Sequence, residues 1–281
     1  MRYLVFIPRI LLAAILFAAM PMPAPAQVAV GITVDFGPPA IPVYVQPAAP
    51  APNMIWTPGY WSWGPGGYYW VPGVWVYAPA PGYLWTPGYW GWRTGYYSWH
   101  PGYWATQVGF YGGINYGFGY FGAGYVGGGW YGNVFRYNTA VTNVNTTVIR
   151  NVYVDRTVIV NNNVNVTRVS YNGGPGGIVA RPSADELAVQ RGYHYQATAV
   201  QTQHQRVASG DRTGLATVNS GHPATPAVPA PYTNRYRPPA YQPLHEEDRA
   251  GVQTHVVHGQ PMENQNERQG HNPQHQEFQR R

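Results

Sequence analysis

The sequence predicts a mainly β protein: a small antiparallel meander of short strands, further Val/Asn-rich strands, two short helices and a large disordered fraction. Three observations carry this. A hexamer, W-x-P-G-x-W, occurs four times in 281 residues, and its proline and glycine are incompatible with a helix interior. Glycine (34) and proline (28) make up 62 of the 281 residues, against a usual share of roughly 12 per cent. Beyond residue 26, leucine occurs only at Leu84, Leu187, Leu215 and Leu244, so no leucine-filled helical bundle can be built. Aromatic residues, 15 per cent of the chain, are the apolar material that remains.

Residues 1–26 read as a secretory signal peptide. Arg2 and Arg9 mark a basic start, Ile10 to Met20 is apolar, and Ala24-Pro25-Ala26 supplies small residues at a cleavage site. The apolar run is short for a membrane span of about 20 residues; an uncleaved anchor is the alternative. There is no cysteine, hence no disulfide, no thiolate metal site and no lipid-attachment cysteine. Every positive charge is arginine, 17 against 11 acids, for a net charge of +6. That bias is too diffuse to argue for nucleic acid.

Residues 27–53 are rich in Pro and Ala and read as an extended segment, little of it tightly packed. Residues 54–105 hold the repeat. Trp56-Thr57-Pro58-Gly59-Tyr60-Trp61 recurs as Trp85-Thr86-Pro87-Gly88-Tyr89-Trp90, and Trp63, Tyr68 and Trp70 map onto Trp92, Tyr97 and Trp99. Each 29-residue unit holds a second hexamer, ending at Trp75 and at Trp104. Pro-Gly reads as a type II turn, so the tryptophans of one hexamer are expected to face one another, some Pro-Gly steps marking bulges instead. Gly64-Pro65-Gly66-Gly67 and Arg93-Thr94-Gly95 supply further turns.

Residues 106–135 carry glycine every fifth position, each preceded by an apolar residue: Tyr111, Tyr116, Phe121, Val126 and Tyr131. With no charge between Arg93 and Arg136, a membrane-contacting segment stays open. In residues 136–181 a six-residue rhythm (Val152 and Val154, Val158 and Val160, Val164 and Val166) predicts short strands joined by Asn-rich turns. It is too short for a β-helix. In residues 182–209 the S/T-x-x-E/Q pairs Ser183/Glu186 and Thr198/Gln201 predict capped helices from 184 and 199. Residues 210–281 read as a disordered polar tail.

No catalytic residue and no cofactor emerges. No acid lies between Phe36 and Val154, which removes paired-carboxylate chemistry from the aromatic region. Gly117 to Gly122 matches G-x-G-x-x-G but lacks the strand–helix context of a dinucleotide site. His245, His255, His258, His271 and His275 lie in the tail without a packed second shell, so solvated histidines are expected and no metal. The candidate binding residues are therefore aromatic: Trp56, Trp61, Trp63, Trp70, Trp75, Trp85, Trp90, Trp92, Trp99 and Trp104. They read either as core plus a partner interface, for an envelope protein or self-association, or as a strip that stacks on a glycan.

The four hexamers resemble those of the WxxGxW (YxWGxW) repeat family of exported Gram-negative bacterial proteins. The resemblance extends to Gly109–Gly117, to Val169–Gly177 and to the capped helices after Arg181. It implies an exported envelope protein, periplasmic or outer-membrane-associated, with no catalytic residues to carry over. The expectation is a non-enzymatic structural or interaction role; glycan binding, to peptidoglycan or exopolysaccharide, and membrane contact are the alternatives.

Overall fold

The computed structural model describes residues 32–161 and 168–233. Residues 1–26, Val164, Val166 and the tail histidines from His245 onward lie outside the described residues. The elements below belong to one unit that begins at Thr33.

A short strand β1 (Thr33–Val34) precedes two equivalent hairpins. The first comprises β2 (Met54–Thr57), β3 (Tyr60–Gly64), β4 (Gly67–Val71) and β5 (Gly73–Tyr77). The second comprises β6 (Leu84–Thr86), β7 (Tyr89–Arg93), β8 (Tyr96–His100) and β9 (Tyr103–Ala105). The chain reverses where Gly64-Pro65-Gly66-Gly67 and Arg93-Thr94-Gly95 predict it, Gly67 and Gly95 taking the positive φ those turns require.

It does not reverse at Pro-Gly, and this corrects the type II turn reading. β2 pairs with β5 and β3 with β4, in one unbroken register that sets Pro58 opposite Gly73 and Gly59 opposite Pro72. The second hairpin sets Pro87 opposite Gly102 and Gly88 opposite Pro101 in the same way. There is no bulge at these steps, and none of the four glycines has a positive φ. Each Pro-Gly step is a gap in the ladder, since proline has no N–H to give, and through it a paired ribbon passes from one small sheet into the next.

The tryptophans therefore pair between hexamers, not within one. Trp56 faces Trp75, Trp61 faces Trp70, Trp85 faces Trp104 and Trp90 faces Trp99, with ring centroids 5.2 to 5.4 Å apart. Trp63–Tyr68 and Trp92–Tyr97 extend the two stacks at 4.9 Å. Such pairs contribute about 0.5–1.5 kcal/mol each beyond their buried area. The glycines are fixed by the same rings. A Cβ on Gly59 would lie 2.4 Å from the Trp70 ring, one on Gly73 2.5 Å from Trp56, one on Gly88 2.5 Å from Trp99, and one on Gly102 2.4 Å from Trp85. The first indole of each hexamer thus occupies the space over the glycine of its partner hexamer.

The hairpins join through equivalent positions. The Trp90 indole N–H donates to the Trp61 carbonyl at 2.8 Å, and the Tyr120 hydroxyl donates to the carbonyl of Trp85 at 3.0 Å while 3.4 Å from that of Trp56. Tyr60 stacks on Trp99 across the two repeats, 5.1 Å between centroids.

Next come the hairpin β10 (Asn115–Gly117) and β11 (Tyr120–Phe121), then β12 (Gly128–Tyr131), β13 (Val134–Asn138) and β14 (Val152–Tyr153), which form a three-stranded sheet. The G-x-G-x-x-G match is the β10–β11 turn, with Gly117, Gly119 and Gly122 all at positive φ. Tyr111, Tyr116 and Tyr120 are buried, so these rings are core; of the five residues before glycines only Tyr131 is exposed.

Among the described residues the Val/Asn rhythm yields one strand, β14. Val154 is exposed, and Val158 falls in a helical turn, α1 (Thr157–Asn161). Asparagine is the reason: buried Asn138 donates to the carbonyls of Val126 and Asp155 and accepts from the N–H groups of Ala140 and Asp155, holding a loop where a strand was expected. After β15 (Tyr171–Asn172), the helices α2 (Ala184–Arg191) and α3 (Ala199–Ser209) begin where predicted, each with a complete capping box. Between them β16 (Tyr195–Gln196) pairs with β9.

Two segments pack more closely than the sequence suggests. In residues 33–53, Val34, Ile41, Tyr44 and Ala49 are buried, and the carbonyls of Ala40 and Pro47 accept the indole N–H groups of Trp61 and Trp75. Residues 210–233 form a short helix, α4 (Ala216–Asn219), and a strand, β17 (Ala227–Val228), which pairs in parallel with β5. There the Pro226 carbonyl accepts both the Trp70 indole N–H and the Gly73 N–H. The tail as predicted is thus corrected over 210–233.

The indole-on-glycine contact is testable. Gly88→Ala should destabilise the protein by about 3 kcal/mol, the upper range for overpacking a core. Gly129→Ala, where an added Cβ meets only the Tyr131 ring at 3.9 Å, should stay within about 0.5 kcal/mol of the parent. Urea midpoints followed by tryptophan fluorescence measure both; equal midpoints for the two variants would remove the contact's role.

Candidate functional site

Of the ten tryptophans expected to offer a binding strip, Trp56, Trp61, Trp70, Trp75, Trp85, Trp90 and Trp104 are buried and only Trp63, Trp92 and Trp99 are partly exposed. This corrects the strip: a ring closed on both faces by protein cannot stack on a sugar. The cause is the packing of the rest of the chain: residues 33–53, the glycine-rich tract and residues 210–233 are all bonded to the hairpins, and β2 through β5 are buried almost continuously instead of alternating as an open meander would.

The three partly exposed indoles are also covered on one side. Phe36 stands edge-on to Trp63 and Tyr68 at 5.5 and 5.6 Å. The Gly173-Gly174 backbone lies on Trp92, where a Cβ at Gly174 would come within 2.9 Å of the ring. Trp99 is stacked by Tyr60. The sequence brings these residues together as structure, in two stacks, and not on one flat face.

Indole N–H groups do a second task. Five of them reach main-chain carbonyls: Trp61 to Ala40, Trp70 to Pro226, Trp75 to Pro47, Trp90 to Trp61 and Trp130 to Tyr83; Trp104 reaches the Gln201 side chain on α3. Buried tyrosines donate to main-chain carbonyls of the hairpins: Tyr116 to that of Gly88, opposite Pro101 in the ladder gap, at 2.6 Å, and Tyr137 to that of Met54, at the start of β2, at 2.9 Å. Burial pushes these phenols well above their ordinary pKa and that of Tyr89 up to about 12, with the neighbouring Tyr103 adding to it. They remain neutral donors throughout the physiological range.

One buried ionisable group carries no sequence signal. His204, buried on α3 together with Ala208, accepts the Tyr232 N–H at Nδ1 (2.9 Å) and lies 2.9 Å from the Pro72 carbonyl through Nε2, so the proton resides on Nε2. Burial lowers its pKa to about 4. No motif marks it, because its partners are two main-chain groups far away in sequence. Among the described residues no group of three or more His, Asp or Glu could hold a metal ion, and no helix is long and apolar enough to cross a membrane.

What is left outside is a set of surface tyrosines. Tyr193 and Tyr195 contact each other at 5.1 Å, and Tyr83 meets Tyr195 at 5.0 Å. On the outer face of β12–β13, the Arg136 guanidinium lies 4.9 Å over the Tyr131 ring and 6.0 Å from that of Tyr153.

Such an architecture defines a β-rich repeat protein whose repeat unit is a pair of hexamers. Residues 52–76 and 81–105, one hairpin each, match the family model of the WXXGXW repeat, and the chain carries two copies of that repeat. No curated protein and no solved structure matches the chain.

The buried histidine makes stability depend on pH. The unfolded ring titrates near 6.5 and the folded one near 4, so the unfolded state binds more protons between these values. Stability should be complete above pH 6.5 and fall as the pH drops toward 4, by about 3 kcal/mol at most. His204→Gln keeps a donor and an acceptor without the titration. Its denaturation midpoint should vary less than the parent's over pH 4–6.5, and parallel curves for the two proteins would show that His204 is not the source.

Proposed function

We propose that the protein is a non-enzymatic structural or interaction component of the Gram-negative cell envelope, exported by its N-terminal signal and folded around its aromatic repeats. One observation carries the reading: the repeat spends its tryptophans on its own core and on fastening the flanking segments. A repeat used in this way is a scaffold, and a partner meets the surface that the scaffold presents. The basic start, the apolar run and the small residues at Ala24 and Ala26 support export, and the resemblance to exported repeat proteins supports an envelope address. A chain without cysteine can fold in an oxidising compartment with no disulfide partner to find.

The experiment is fractionation of native cells with determination of the mature N-terminus. The expected result is a chain beginning at Gln27, in the periplasmic or outer-membrane fraction. A chain retained in the cytoplasm with Met1 intact would overturn the reading.

A further inference from the structure

The outer face of the three-stranded sheet β12–β13–β14 is a basic, aromatic surface that the core does not use. On β13 the inward residues Phe135 and Tyr137 are fully buried, and the alternate residues Val134 and Arg136 face out. Opposite them on β12, Tyr131 pairs with Val134 and Gly129 with Arg136. Tyr131 is 59 % exposed although Arg136 covers one of its faces. At Gly129 the strand has no side chain, and an added Cβ would meet only the edge of the Tyr131 ring at 3.9 Å. The result is an open shelf with a guanidinium on one side and an aromatic ring at its end.

Two further exposed cations, Arg150 and Arg156, stand in sequence on either side of the edge strand β14. The nearest acid, Asp155, accepts the N–H and hydroxyl of Thr157. Among the described residues Arg136 has ring contacts and no carboxylate partner.

From this arrangement we propose that the β12–β13–β14 face binds an acidic polysaccharide through its carboxylates and sugar rings, an inference that rests on the interaction role proposed above and names its ligand class. A guanidinium held in place by two rings offers a planar fork that matches a carboxylate. The electron-rich face of Tyr131 receives the weakly positive C–H groups of a pyranose, and the shelf at Gly129 leaves room for the ring to lie flat. Three arginines offset by one aspartate are few for a nucleic acid, whose affinity comes from many phosphate contacts. The face is a sheet without the amphipathic helix that an anionic membrane surface engages.

Affinity electrophoresis of the mature full chain tests this, in gels containing polygalacturonate, neutral dextran or polyphosphate, beside sedimentation with anionic lipid vesicles. Polygalacturonate should retard the protein where dextran does not. Arg136→Gln should weaken the retardation about tenfold, the loss expected for one charge-assisted hydrogen-bonded pair. Tyr131→Ala should weaken it too, and Arg191→Gln, the same charge change on an exposed part of α2, should not. Near-ultraviolet circular dichroism confirms that each variant keeps its packed aromatic core.

Equal retardation of Arg136→Gln and the parent would overturn the proposal, as would an equal loss with Arg191→Gln, which would reduce the effect to net charge. Retardation by polyphosphate as strong as by polygalacturonate, or preferential sedimentation with vesicles, would overturn the sugar as occupant. Loss of the proposal leaves the envelope assignment standing, because fractionation decides the address without reference to any ligand.

Discussion

Everything in this fold depends on an indole lying where a side chain is missing. In W-x-P-G-x-W the first tryptophan has no place to go within its own hexamer, and the glycine leaves a hollow that its own hexamer does not fill. An antiparallel second copy resolves both at once, since Trp70 covers Gly59 while Trp56 covers Gly73, and Trp99 and Trp85 do the same for Gly88 and Gly102. The contact is reciprocal, so one hexamer is not a folding unit and two are. This accounts for the 14-residue spacing within each pair, which is the length needed to run out, turn at Gly64–Gly67 and return in register.

The proline is the other half of the same constraint. By withholding an N–H it interrupts the ladder opposite a glycine, in strands that are buried almost continuously. Groups freed by the gap then need partners, because a buried carbonyl without one costs about 1–3 kcal/mol. Tyr116 of the glycine-rich tract serves Gly88 opposite Pro101, while Tyr120 holds the nearby carbonyl of Trp85 and the Pro226 carbonyl takes the Gly73 N–H as β17 joins β5. The glycine tract and the flanking segments are therefore parts of the repeat's solution, and a region without a single acid from Phe36 to Val154 is held chiefly by ring and aliphatic packing and by neutral hydrogen bonds.

Much of this is legible in the sequence, and what is not has two physical causes. The repeat, the two loop reversals and both capping boxes could be read because each is decided by residues within a few positions of one another. At Pro-Gly the local signal is the same whether the chain turns or passes straight through; only the hexamer opposite distinguishes the two. The packing of residues 33–53 and 210–233 was invisible for a different reason. Trp61, Trp75 and Trp70 dock on carbonyls of Ala40, Pro47 and Pro226, and a carbonyl is present at every residue, so a Pro/Ala-rich segment serves as well as any other. His204 escaped notice likewise, being bound by a carbonyl and an amide. Of the two readings open for the tryptophans, core or strip, burial favours the core, because a chain with only four leucines beyond residue 26 needs most of its indoles inside.

That last point bears on how a repeat of this type relates to function. When seven of ten repeat tryptophans are interior, the pattern that identifies the repeat specifies a scaffold and is silent about what the scaffold holds. Positions free to carry a specific task are those the indole–glycine contact does not constrain: the turn tips, the outer face of β12–β13–β14 and the surface tyrosines around Tyr195. Two chains can therefore share the hexamers and differ in ligand. In this chain Arg136, fixed between two tyrosine rings beside a glycine shelf, is where charge, aromatic surface and open space coincide.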